Sequence, residues 1–107
     1  MRSKYNAIKT VVDGIKFDSK AEARRYGELK MLEKAGAISK LELQPRYDID
    51  VNGMRICFYK ADFRYTDVHG CVIVEDVKSS MTAKLPVYRL KKKLVKACHG
   101  VEITEVK

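Results

Sequence analysis

Two neighbouring strand-like runs, each with an acid set among apolar residues, constrain this chain more than any other feature. They are YKADFRY (59–65) and CVIVEDVK (71–78). Both are rich in β-branched and aromatic residues, and TDVHG (66–70) between them carries turn chemistry. The reading is an antiparallel pair, with one strand over 55–65 and the next over 71–78. Side chains alternate between faces along a strand, so Val72, Val74, Asp76 and Lys78 share one face, and Asp76 and Lys78 stand about 6.6 Å apart. Cys71, Ile73, Glu75 and Val77 share the other, where Glu75 is read as outward and non-catalytic. The returning strand brings Asp62 towards Asp76. An acid buried in such a strand is costly unless a cation or a metal pairs with it.

The remaining elements fall into order around this pair. TVVDGIKF (10–17) reads as a small hairpin turning at Asp13-Gly14. Asp18-Ser19 opens a helix that runs to about Ala35 and stops at Gly36, and Ser19 with Glu22 has the spacing of a capping box. Its inward stripe is Glu22, Tyr26, Leu29 and Leu32, with Arg24, Arg25, Glu28 and Lys34 largely in solvent. A strand over Leu41–Ile49, interrupted by Pro45, precedes a turn at Asn52-Gly53. After a loop over Ser79–Pro86 comes a helix from about Val87 to Cys98, burying Val87, Leu90, Leu94 and Cys98. VEITEV (101–106) closes the chain as a strand. The expected class is α/β, a central mixed sheet flanked by helices in the order β-hairpin, α, β, β, β, α, β.

With 107 residues the chain is read as one domain, 1–107, with residues 1–8 flexible. No apolar run reaches the ~20 residues of a membrane span, and MRSKYNAIKT lacks the apolar stretch of a signal peptide. Three cysteines without a CxxC argue against a disulfide framework, so a reduced, cytoplasmic setting is expected. His69 has no partners at zinc-ligand spacing. No phosphate loop, nucleophile elbow or nucleotide fingerprint appears, so no nucleotide cofactor is expected.

The net charge of +8 is unevenly spread. Residues 1–30 carry eight basic and four acidic side chains, residues 31–78 seven and eight, and residues 79–107 seven and two. Two basic flanks around an acidic middle suit a polyanion held at the edges of a carboxylate-bearing site. Asp62, Asp76 and Glu22 could converge with Lys78 into a site for a hard divalent cation such as Mg²⁺, which takes oxygen ligands. Arg89, Lys92, Lys93 and Lys96 form the basic face of the second helix. With Lys84, Arg24 and Arg25 they are the candidate nucleic-acid contacts. Plainer readings stand beside these. Glu22 could only complete a capping box, Asp62 could pair with Lys60 or Arg64, Asp76 and Lys78 could form a surface pair, and the basic face could simply be solvated.

Asp62, thirteen intervening residues and then Asp76-Val77-Lys78 resemble the PD-(D/E)XK nuclease signature, with Glu22 in FDSKAEARRY as its usual helical companion. Over residues 4–106 the stretches FDSKAEARRYGELK, LELQPRYDI, YKADFRY and VIVEDVKS resemble a small phage and prophage family of that superfamily, akin to Holliday-junction resolvases. The resemblance implies a restriction-endonuclease-like core and Mg²⁺- or Mn²⁺-dependent cleavage of DNA, branched DNA above all. It implies Asp62, Asp76, Glu22 and the Val77 carbonyl as metal ligands, and Lys78 as the catalytic lysine. Two symmetric cuts at a junction would suit a homodimer, and a phage protein would act in the host cytoplasm. Ala61 replaces the signature's Pro, and Asp76 stands where Glu is commoner. The alternative is a module that binds nucleic acid on the same fold without cutting it.

Overall fold

The computed structural model describes residues 9–107, and the expectation for residues 1–8 lies outside them. The chain opens with the hairpin of β1 (Thr10–Val12) and β2 (Ile15–Phe17), followed by α1 (Lys20–Lys34). Five strands follow: β3 (Ile38–Leu43), β4 (Arg46–Val51), β5 (Met54–Lys60), β6 (Phe63–Asp67) and β7 (Val72–Val77). A 3-10 turn (Thr82–Lys84) leads into α2 (Pro86–His99), and β8 (Ile103–Val106) ends the chain. The fold is α/β, with a mixed four-stranded sheet in the order β3-β6-β7-β8 and two helices. The β3/β6 and β6/β7 pairs are antiparallel, and β8 joins β7 in parallel after the α2 crossover.

Both predicted hairpin turns form. Asp13-Gly14 (φ 53° and 76°) and Asn52-Gly53 (φ 51° and 81°) are left-handed at both central positions, the conformation that matches strand twist in two-residue hairpins.

The register explains why one strand serves two cores. Phe63 lies opposite Glu75 and Tyr65 opposite Ile73, whereas Arg64, Val74 and Ile103 align on the other face, as do Asp76 and Glu105. Phe63 and Tyr65 pack with Phe17 and with Ala23, Tyr26 and Leu29 of α1. Val74 and Ile103 pack with Tyr88 and Val95 of α2 and with Tyr47, Ile49 and Tyr59 of the β4–β5 hairpin. The helices therefore cover opposite faces of the sheet.

Three expectations are corrected. The strands expected over 41–49 and 55–65 each break in two at the same level. Pro45 has no N–H for a ladder, and Gln44 before it turns left-handed (φ 51°). Gln44 N donates to the Asp62 carbonyl and Ala61 N to the Pro45 carbonyl, each at 3.0 Å, so both chains bend together. The β4–β5 hairpin thereby leaves the sheet as a separate two-stranded ribbon. Without it, the remaining order after the first hairpin is the expected α, β, β, β, α, β.

The second correction is rotational. α2 buries Tyr88 and Val95 and leaves Val87, Leu90 and Cys98 exposed, with only Leu94 partly covered. Tyr88 takes the inward place because its ring packs 6.3 Å from that of Tyr59 while its hydroxyl reaches Glu105 at 2.8 Å. Third, α1 buries Glu22, Ala23, Tyr26 and Leu29, and Leu32 at its far end is exposed. No helix among the described residues is long and apolar enough to cross a membrane.

Candidate functional site

Asp62 sits in the bend between β5 and β6, beside the end of β7. Its N–H donates to the Glu75 carbonyl (3.1 Å) and to Asp76 Oδ1 (3.0 Å), and its own Oδ2 accepts from Val77 N–H (2.8 Å). The Asp76 carboxylate is thus tied to the Asp62 backbone, and the Asp62 carboxylate to the backbone of Val77, where the ladder is interrupted. Asp76 is 1% exposed, and its Oδ2 is buried with no hydrogen-bond partner among the described residues. A buried carboxylate oxygen without a donor is costly, and it is the kind of atom that a proton or a cation satisfies.

Glu22 enters from α1, whose first turn lies over this end of the sheet. Ser19 caps the helix, its Oγ accepting from Glu22 N–H at 3.1 Å. The Glu22 side chain makes no return bond to Ser19 among the described residues, so only half of the capping box forms. The carboxylate is instead buried near Asp62 and Asp76.

The charges of the site act on one another. Burial, then Asp62, Asp18 and Asp76, push Glu22 up to about 7, against the pull of Lys78. Burial pushes Asp76 up to about 6, although Lys78 and the Asp62 N–H favour its ionised form. Asp62 is raised by burial and by Asp18, while the Val77 N–H and Lys78 oppose the shift. Three carboxylates with raised pKa values around one lysine mark an electrostatically strained cluster. Lys78 is half-buried and forms no ion pair within 4.0 Å among the described residues; its Nζ lies 4.8 Å from the centre of the Tyr88 ring.

No group of three or more His, Cys, Asp or Glu side chains among the described residues forms a ready cage for a metal. A hard cation such as Mg²⁺ needs less, because it keeps several waters beside one or two carboxylates. The buried, unpartnered Asp76 oxygen near Asp62 and Glu22 has the donor chemistry that such an ion takes.

The chain belongs to the DUF1064 family of proteins of unknown function. The match spans residues 2–105. No curated protein and no solved structure matches it.

Elsewhere in this DUF1064 chain the candidate residues divide. Arg89, Lys92, Lys93 and Lys96 line one groove of about 370 Å³ between α2 and β8. Lys92 pairs with Glu105 at 3.1 Å and Lys96 with Glu102 at 2.9 Å, which leaves Arg89 and Lys93 as the groove's unpaired cations among the described residues. Lys84 and Arg24 are exposed.

Arg25 is corrected. It is no solvated contact for a polyanion: Nε and Nη2 grip the two Glu75 oxygens at 2.8 and 2.7 Å, and Nη1 meets Glu28. Glu75 is corrected with it. It points away from Asp76, as strand alternation requires, but α1 covers that face, so Glu75 is 2% exposed and also accepts from Tyr65 Oη. The plainer alternative, Asp62 paired with Lys60 or Arg64, does not form among the described residues; Arg64 bonds Glu42 and Tyr47 Oη instead.

Sequence reasoning missed Tyr88, Glu105 and Asp18. Tyr88 was obscured by the mistaken apolar stripe of α2. Glu105 needed the parallel register of β8, which pairs it with Asp76. Asp18 had a legible signal, since it directly precedes the Ser19 cap and so lies beside the turn that carries Glu22.

Proposed function

We propose that this chain is a metal-dependent endodeoxyribonuclease with a PD-(D/E)XK-like core, acting on branched DNA. The observation that carries the reading is the buried, unpartnered Asp76 Oδ2 beside Asp62 and Glu22, with Lys78 on the same face of β7. The order α1, β3, β6, β7, α2, β8 agrees with the core that the resemblance implies.

Asp62, Asp76, Glu22 and the Val77 carbonyl would hold Mg²⁺ or Mn²⁺. When bound, the cation supplies charge neutralisation at a phosphodiester and a lowered pKa for bound water. The chain's own groups do the rest. The Val77 and Asp62 amides fix the two aspartates, so neither must reorganise to bind. Lys78, stacked over Tyr88 and held in no ion pair among the described residues, keeps its ammonium available to negative charge developing on a phosphate. Tyr88 is in turn fixed by Glu105. Arg89 and Lys93 offer the groove's unpaired charges to the phosphate backbone.

The test is cleavage of labelled four-way junction, flap, linear duplex and single-stranded DNA with Mg²⁺, with Mn²⁺ and with EDTA, using wild type, Asp76→Ala and Lys78→Ala. Metal-dependent cutting that both variants lose, strongest on the junction, is the expected result. Binding without cutting by wild type, unchanged in both variants, would replace this reading with the non-catalytic module.

A further inference from the structure

An exposed aromatic ring on the β4–β5 hairpin is surrounded by cations that the acidic cluster does not use. Alternation along β5 sends Cys57 and Tyr59 inward to the core, and so turns Phe58 outward, where it is 42% exposed. Arg46 lies over the ring, its Cζ 4.0 Å from the centre, and Lys91 of α2 brings its Nζ to 6.0 Å. Lys60 stands two residues along β5 from Phe58 and opposite Arg46 in the register, on the same outward face. Asp48 is the acid of this face, and it is already engaged by Arg46 at 3.0 Å and by Arg55 at 3.3 Å. Lys60 and Lys91 hold no ion pair among the described residues.

We propose that Phe58, with Arg46, Lys60 and Lys91, is a platform on which an unpaired base of the DNA stacks; this rests on the reading of the chain as a protein of branched DNA. The chemistry of the face selects the ligand. A nucleobase offers a π-face to the ring, and the phosphates on either side of it meet the two lysines that lack ion pairs. Single strands are held in this way, by aromatic stacking inside a cationic surround. An acidic peptide would satisfy the lysines and leave the ring without a partner. A paired base inside a duplex has both faces covered by its neighbours, so an unpaired base is the one that can present a face. The platform is ordered before binding, because Arg46 is fixed between Asp48 and the ring. It also borders the acids. Lys91 stands one turn of α2 beyond Tyr88, whose ring carries Lys78 Nζ at 4.8 Å, and Lys60 precedes Asp62 by two residues. A single-stranded arm leaving a branch point at the acids is therefore the part of the DNA that this face would recognise.

The test is binding by fluorescence anisotropy in EDTA, for wild type, Phe58→Leu and Phe58→Trp. The probes are a duplex with a single-stranded arm, the same DNA with the arm's bases replaced by abasic sites, and the nicked duplex without the arm. Phe58→Leu keeps an apolar side chain and removes the π-face, and Phe58→Trp enlarges that face; circular dichroism checks that both fold. Phe58→Leu should weaken binding to the armed duplex by about tenfold or more, and Phe58→Trp should keep it. On the abasic arm and on the nicked duplex the three proteins should bind alike. Equal binding of wild type and Phe58→Leu to the armed duplex, or an equal loss on all three DNAs, would overturn the proposal. No cleavage is read, so a protein that binds the arm through Phe58 and never cuts refutes the nuclease reading and leaves the platform standing. A wild type that binds none of the three DNAs refutes both.

Discussion

Replacing Asp76 with Asn should abolish metal-dependent activity and, in the absence of metal, stabilise the protein. Asp76 is buried, and among the described residues one of its oxygens accepts only the Asp62 N–H and the other has no donor. Its pKa rises from 3.8 to about 6 on folding. A carboxylic acid whose folded pKa is raised costs no stability at low pH, where folded and unfolded states are both protonated. Stability falls as pH climbs from the unfolded towards the folded value, because the unfolded state releases its proton first. At about 1.4 kcal/mol per pKa unit, the ionised carboxylate costs about 3 kcal/mol above pH ~6. Asn keeps the acceptor for the Asp62 N–H and removes the charge. Against this stand the ordinary losses of a core substitution, about 1 kcal/mol. A net gain of about 2 kcal/mol is expected near pH 8, worth roughly 8 °C in melting temperature for a domain of this size. The assay is thermal unfolding followed by circular dichroism in EDTA, near pH 8 and near pH 5. Near pH 5 the advantage should shrink to roughly half a kcal/mol, since about half of the cost has accrued by then, and near pH 4, where most of the cost is gone, it should reverse. An Asn variant less stable than wild type by the same margin at both pH values would refute the argument, because the carboxylate would then carry no electrostatic strain.

Glu22→Gln should behave alike: in EDTA its stabilisation over wild type should grow between pH 4.5 and about 7 and stay at its full value above, and its melting curve against pH checks this. Mg²⁺ near pH 8 should raise the melting temperature of wild type and leave that of Asp76→Asn unmoved, since a ligand stabilises only a fold that binds it. Arg25→Ala should cost about 3–5 kcal/mol in urea unfolding, because it strands the buried Glu75 carboxylate. Arg89→Ala and Lys93→Ala should each weaken duplex binding and lower the salt slope by about 0.9, measured in EDTA by fluorescence anisotropy.

The elements that depend on local chemistry were legible in the sequence. The Asp13-Gly14 and Asn52-Gly53 turns need two left-handed residues, and few other pairs supply them. The Ser19 cap announces α1 from its own first turn. What failed depended on neighbours distant in the chain. The break at Gln44-Pro45 could be suspected from proline alone, but its mate at Ala61-Asp62 carries no breaker and bends only because its partner does. The orientation of α2 followed an amphipathic stripe that tertiary packing overrode, since Tyr88 satisfies ring and hydroxyl at once against Tyr59 and Glu105. Glu75 was placed on the correct face of its strand, yet nothing local tells that a helix covers that face.

Glu75 and Asp76 show two different treatments of a buried acid on one strand. They are consecutive acids on one strand, 2% and 1% exposed. Glu75 is satisfied on all sides, with two bonds from Arg25 and one from Tyr65. Such an arrangement is what a fold requires of a buried acid that it keeps for structure. Asp76 receives one backbone N–H and no ion pair among the described residues, and two further carboxylates act on Glu22 beside it. The same few residues of β7 and α1 therefore contain both the means to neutralise a buried acid and an acid left without it. Arg25 stands one helical turn beyond Glu22, so a base at either place would lie on the same stretch of α1. A base in place of Glu22 would neutralise the aspartates; the acid that stands there is instead pushed up to about 7 by burial and by the carboxylates around it. A cation from outside the chain would complete the group, and so would a proton; Mg²⁺ titration of the melting temperature near pH 8, where the acids ionise, is the measurement that separates the two.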